Sequence, residues 1–141
     1  MADSKGVTMN RVYLAGAING KTDEECNAWR NRVTHLLSGS MVVVSPMARD
    51  YRGKEDENVA EIVAGDIKDI ESCDYVLANA ESPSWGTAME LWHAHKAGKK
   101  IVAFMSGDRV SPWLRFVCSA IYDSPEMACM AILNFDVLVC R

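Results

Sequence analysis

Short β-branched or apolar runs alternate with segments of helical period along most of this chain, and that alternation restricts its fold more than any other feature. The runs are Arg11–Ala15, Met41–Ser45, Asp74–Asn79 and Ile101–Met105, and each is followed by a turn signal and then a helical pattern. Neighbouring parallel strands need a long crossover, and a helix supplies it. The alternation predicts one α/β domain over residues 11–141: a three-layer, doubly wound parallel sheet of Rossmann or flavodoxin-like type with about five strands. Residues 1–10 are expected to form a flexible N-terminus. Phe135–Cys140 fits a further short strand or a docking tail.

The helices carry their own punctuation. Thr22 and Glu25 form a capping box, and Cys26, Trp29, Val33, Leu36 and Leu37 then recur at helical spacing up to Ser38-Gly39. A second helix is expected from about Asn58 to Cys73, with Val59, Ile62, Val63, Ile67 and Ile70 as its apolar stripe. Asp66 falls inside that stripe, while Asp69 points toward water. A third helix is expected from about Thr87 to Ala97, with Gly98 as its C′ residue. Pro112 stands near the first turn of another, and Pro125–Leu133 also has helical character.

Composition excludes several classes of function. At 141 residues, with 15 basic and 19 acidic side chains, the chain is of single-domain size and carries a formal charge of -4. No block of like charge extends beyond Asp23-Glu24-Glu25, which argues against a nucleic-acid polymer or an anionic membrane as partner. The five cysteines contain no Cys-x-x-Cys pair, so neither a disulfide framework nor a zinc site is expected. A reducing, cytoplasmic setting is expected, since no signal peptide or membrane-spanning run stands out.

In open parallel sheets ligands bind beyond the carboxyl ends of the strands. The informative loops are therefore Gly16–Lys21, Pro46–Lys54, Ser82–Thr87 and Ser106–Ser111. They offer amides, hydroxyls, Asn19 and three arginines, and Pro46–Lys54 could close as a lid. Local pattern alone leaves modest roles open. Thr87 and Glu90 have capping-box spacing, Asp66 suits a buried cap or an ion pair, and Tyr13 suits the core. Ser84 could cap the helix, and Gly86 could serve only the turn. Trp85 could stack on a base or pack on a neighbouring subunit. His93 and His95, two apart, face different directions and suit structural or solvent-facing roles.

The segment Ser82-Pro83-Ser84-Trp85-Gly86-Thr87-Ala88-Met89-Glu90 resembles the signature of the nucleoside 2-deoxyribosyltransferase superfamily, where an Asp or Ser, a Gly and a catalytic Glu keep this spacing. Val12–Gly16 looks like the family's opening strand and turn. Gly65–Ile67 through Cys73-Asp74 is similar to its acidic helix and following strand, and Gly98–Val102 to its next strand, so the resemblance spans roughly residues 11–105.

That resemblance implies a retaining cleavage of an N-glycosidic bond, with no metal or organic cofactor. Glu90 would attack the anomeric carbon to give a glycosyl-enzyme, kept ionised by its place near a helix N-terminus. Asp66 would be the proton donor or hydrogen-bond partner of the departing base, and Tyr13 would orient Glu90. Gly16, Ala17, Ile18, Asn19, Ser84, Gly86 and Ser111 would contact substrate. Ser84 stands where transferases of free nucleosides have Asp and where deoxynucleoside 5′-monophosphate N-glycosidases have Ser, which favours a monophosphate. Ala17 and Asn19 depart from the Ser and Arg of those glycosidases, and Lys21, Arg49, Arg52 or Arg109 are the candidate replacement charges. Ser111 resembles a serine donated by a neighbouring subunit, implying a homodimer or larger. The alternatives are a transferase exchanging bases between free deoxynucleosides and a non-catalytic nucleotide-binding module.

Overall fold

The computed structural model describes residues 9–135. Five strands, β1 (Arg11–Ala15), β2 (Val42–Val44), β3 (Tyr75–Asn79), β4 (Lys100–Phe104) and β5 (Ala120–Tyr122), form one sheet in the order β2-β1-β3-β4-β5. Every pairing is parallel, and Tyr13 lies in register between Val44 and Val76. The helices are α1 (Asp23–Leu37), α2 (Val59–Glu71), α3 (Trp85–Lys96), α4 (Pro112–Val117) and α5 (Pro125–Leu133), with a 3-10 turn at Pro46–Arg49. This strand order is flavodoxin-like: the chain leaves β1 toward β2 and then crosses to β3, opening a crevice at the β1/β3 switch point.

Because side chains alternate along a strand, the sheet divides its apolar residues between two cores. Val12, Leu14, Leu77, Val102 and Phe104 pack against Val33 and Leu37 of α1 and Ala128, Cys129 and Ile132 of α5. Tyr13, Ala15, Val76, Ala78, Ile101 and Ala103 pack on the other face with Ile70, Leu91, Ala94 and Val117. Helices on both faces explain why the central strands read as nearly unbroken apolar runs. Each fully buried Leu or Val there contributes about 1.5–3 kcal/mol.

The structure departs from the sequence expectation at four places. The fifth strand is Ala120–Tyr122, whereas Phe135 places its ring edge-on to Tyr75 at 5.9 Å and residues 136–140 lie outside the described residues. Helix α3 starts at Trp85, because Ser84 supplies the cap by accepting from the Thr87 amide at 3.3 Å. The stripe of α2 turns inward only at its C-terminal end: Ile70 is buried, while Val59 and Val63 are 59% and 53% exposed. Asp69, expected in water, is paired with Arg49. Residues 1–8 of the expected N-terminal segment lie outside the described residues. No described helix is long and apolar enough to cross a membrane.

Candidate active site

Three side chains from three elements meet beside the carboxyl end of β1. Tyr13 is fully buried as a ring, and its hydroxyl donates to Oε2 of Glu90 from α3. Asp66 from α2 lies close enough for its charge to act on both Tyr13 and Glu90. The start of α3 at Trp85 makes Glu90 its sixth residue, beyond the first turn where a helix dipole acts strongly on a carboxylate. Its neighbour Leu91 packs on the sheet.

Burial dominates the electrostatics and corrects the expectation that the helix terminus keeps Glu90 ionised. Desolvation pushes the Glu90 carboxyl up to about 7, with Asp66 adding to the rise. The Tyr13 hydrogen bond and the charges of Arg30 and Arg49 act in the opposite direction. Asp66 is also raised by burial, but its pairing with Arg49 at 3.3 Å opposes the rise. Burial, together with both carboxylates, holds the Tyr13 phenol far above its ordinary range, so it remains a donor.

Arg49 reaches Asp66 and Asp69 from the 3-10 turn by lying across Gly65. A Cβ at Gly65 would come within 2.7 Å of Cζ of Arg49, so a bare backbone at this point of α2 makes room for the guanidinium. The expected lid is pinned in the same way: Arg52 pairs with Asp50 and Asp23, and Tyr51 donates to Glu61 at 3.2 Å. Arg49 and Arg52 are thereby engaged by carboxylates.

The first loop is built by close packing. Gly16 is buried, and a Cβ there would stand 2.7 Å from the Trp29 ring and 3.3 Å from Cβ of Asn79. Its carbonyl accepts from Arg30 at 3.0 Å. The Ile18 carbonyl accepts from the Lys21 amide at 3.1 Å across a turn whose exposed tip is Asn19-Gly20. Ala17 lines a cavity of about 160 Å³ with Lys21, Trp29, Asn79 and Ser82, and the Lys21 ammonium donates to the Ser82 hydroxyl at 3.2 Å. Gly86 is an exposed residue of the first turn of α3 without positive φ, so the turn role considered for it does not apply.

Ser84 and Ser111 line a second cavity, a groove of about 670 Å³ that shares Ser82 with the first-loop cavity. Arg109, Trp85, Trp92 and Trp113 also belong to its lining, which lacks Tyr13, Asp66 and Glu90. Ser111 caps α4, accepting from the Trp113 amide at 3.2 Å. Around the groove Trp85 is 87% exposed, Trp113 71% and Phe116 66%. His95 packs edge-on to Phe116 at 5.0 Å, and His93 pairs with Glu71 at 3.2 Å. Among the described residues no group of three or more His, Cys, Asp or Glu side chains is arranged to hold a metal ion. Cys26, Cys73 and Cys129 are buried in the cores, as small apolar residues would be.

The sequence reading passed over Arg30. It lies on the inward stripe Cys26, Arg30, Val33, Leu37 of α1 and is 2% exposed. An arginine four residues after one stripe position and three before the next is the signal that marks it.

The model of the nucleoside 2-deoxyribosyltransferase family matches residues 12–129. No curated protein matches the chain. Among solved structures, the chain is similar to a 2-deoxyribosyltransferase from Bacillus psychrosaccharolyticus, with 18% identity, 92% of this chain and 94% of that one covered, and a TM-score of 0.70. It is also similar to a 2-deoxyribosyltransferase from Leishmania mexicana, with 22% identity, 89% and 97% covered, and a TM-score of 0.64. A CMP N-glycosidase from Clostridium botulinum has 20% identity, 87% and 98% covered, and a TM-score of 0.56. At these identities the structures show a shared fold, and the family match extends from β1 into α5: the chain belongs to the nucleoside 2-deoxyribosyltransferase family.

Proposed function

We propose that this protein hydrolyses the N-glycosidic bond of a 2′-deoxynucleoside 5′-monophosphate, with retention, through a covalent glycosyl-Glu90 intermediate. The observation that carries the reading is the hydrogen bond from the Tyr13 hydroxyl to Glu90, with the Asp66 carboxyl near enough for its charge to act on both. In the first step a Glu90 carboxylate oxygen bonds to the anomeric carbon while the C–N bond breaks, and Asp66 gives its proton to the departing base. In the second, Asp66 takes a proton from water, whose oxygen displaces Glu90 and restores the configuration. Two raised carboxyls over one site can share a proton, and catalysis needs that proton on Asp66 and the charge on Glu90. Tyr13 orients Glu90 and stabilises its ionised form.

Recognition of the 5′-phosphate is assigned to Ser84 with the exposed first turn of α3 at Gly86, and to Gly16, Ala17, Ile18 and Asn19 of the first loop. A serine hydroxyl accommodates an anion that an aspartate would repel. Ser111 and Arg109 line a groove without the carboxylate pair, and exposed aromatic side chains flank it. This favours a homodimer in which Ser111 serves the partner's site. Transfer of the sugar to an acceptor base is the second reading, favoured by the family's description and by the two 2-deoxyribosyltransferase structures.

Incubation with dAMP, deoxyadenosine and an acceptor base, followed by chromatography, separates the two reactions. Free base with deoxyribose 5-phosphate is expected; a new nucleoside in its place would make the protein a transferase. Mass spectrometry of acid-quenched single turnovers should place the sugar on the peptide containing Glu90, and a sugar found on another residue would refute the nucleophile.

A further inference from the structure

The mechanism above leaves one buried cation unused. Arg30 donates to the Cys26 carbonyl at 2.7 Å and the Gly16 carbonyl at 3.0 Å, and its guanidinium lies 4.5 Å from the Trp29 ring centre. Its Nε has no hydrogen-bond partner, and among the described residues no carboxylate forms an ion pair with it. Burying an arginine costs several kcal/mol unless other charges and dipoles compensate. A carbonyl from its own helix could satisfy the side chain locally; the second bond ties it instead to the strand end that opens the first loop.

The charged and titratable groups acting on Glu90 are Tyr13 from β1, Arg30 from α1, Arg49 from the 3-10 turn and Asp66 from α2. Arg49 is neutralised by Asp66 and Asp69. Arg30 is therefore the cation among them without a paired carboxylate. We infer that Arg30 is a positioning residue for the Glu90 chemistry: its guanidinium fixes the Gly16 carbonyl and the loop that begins there, and its charge stabilises the Glu90 carboxylate in the form that attacks. The inference rests on the reading of Glu90 as nucleophile.

A carbon-detected NMR titration of the Glu90 side-chain carboxyl, assigned by its loss in Glu90→Gln, tests the charge without needing turnover. In Arg30→Met the Glu90 midpoint should rise by roughly 1 pH unit, and the limb of kcat/KM for dAMP near pH 7 should move with it. Arg30→Gln, which keeps an amide donor for the Gly16 carbonyl, guards against misfolding of the methionine variant and should show the same rise with a smaller change in KM. Arg30→Lys restores the charge and should return the midpoint toward wild type. An unchanged midpoint in a folded neutral variant overturns the inference. Full activity in Glu90→Gln would instead overturn the nucleophile assignment, so the two failures are distinguishable.

Discussion

On the side of α3 that carries Glu90, polar groups engage one another: the Tyr13 hydroxyl donates to Glu90, and Arg49 bridges Asp66 to Asp69. On the side that carries Trp92, the polar groups are few and the aromatics project outward, with Trp85, Trp113 and Phe116 mostly in solvent. One helix therefore separates a closed electrostatic network from an open apolar groove. The first is arranged so that a proton has defined places to reside, while the second has surface to bury against something else. A network loses function when one member is removed, whereas an exposed patch tolerates single changes in the isolated chain and registers them in association.

The largest expected break is Glu90→Gln, which should lower kcat/KM about 10³-fold or more. The same change should stabilise the fold at high pH. Folding raises the Glu90 value from 4.5 to about 7, so its favourable contribution is complete below pH 4.5 and is lost as the pH climbs through 7. Unfolding free energies from urea titrations should coincide for wild type and variant near pH 4 and differ by roughly 1–3 kcal/mol near pH 8, in favour of Gln. Coincidence at both pH values would mean that Glu90 is not desolvated. Wild-type kcat/KM should accordingly fall as the pH climbs through about 7, where the proton shared by Glu90 and Asp66 is lost.

Tyr13→Phe comes next, with a loss of roughly 10²-fold and the pH limb near 7 displaced to higher pH, because the hydroxyl bond favours the carboxylate. A limb moving to lower pH would reverse its assigned role. Gly65→Ala should cost about tenfold in kcat by displacing Arg49 from Asp66. Its melting temperature should change little, because alanine improves helix propensity by up to about 1 kcal/mol. A large loss of stability with kcat preserved would assign Gly65 to packing alone. On the groove side the expected effect is smallest. Phe116→Asp should alter monomer stability by no more than about 0.5 kcal/mol yet shift the sedimenting species toward monomer, with specific activity recovering at high protein concentration. Fully active monomers would place Ser111 in the service of its own chain.

The sheet was legible in the sequence because its central strands are buried on both faces, so Val12–Ala15 and Tyr75–Ala78 stand out as apolar runs. The α1 boundary was legible because the Thr22–Glu25 box forms as written. Strand β5 was not, since Ala120-Ile121-Tyr122 is too short for alternation to register and its side chains are only partly covered. The start of α3 was ambiguous for a different reason. Ser84 and Thr87 both have cap chemistry, and Ser84 prevails while the Glu90 carboxylate that would complete a box on Thr87 is held by Tyr13 instead. The convergence of Tyr13 with Asp66 and Glu90 depended on the family resemblance, as local spacing alone gave a cap, an ion pair and a core residue. Arg30 was hidden because charge in a sequence reads as solvent-facing.

Both margins of the sheet, β2 and β5, are only three residues long. A foreign strand seeking to extend the ladder finds a template of one or two repeats, too little to hold a cross-β stack. Any pairing of copies of this chain would thereby be steered away from the backbone and onto side chains, where it can be selected by shape and retuned one residue at a time.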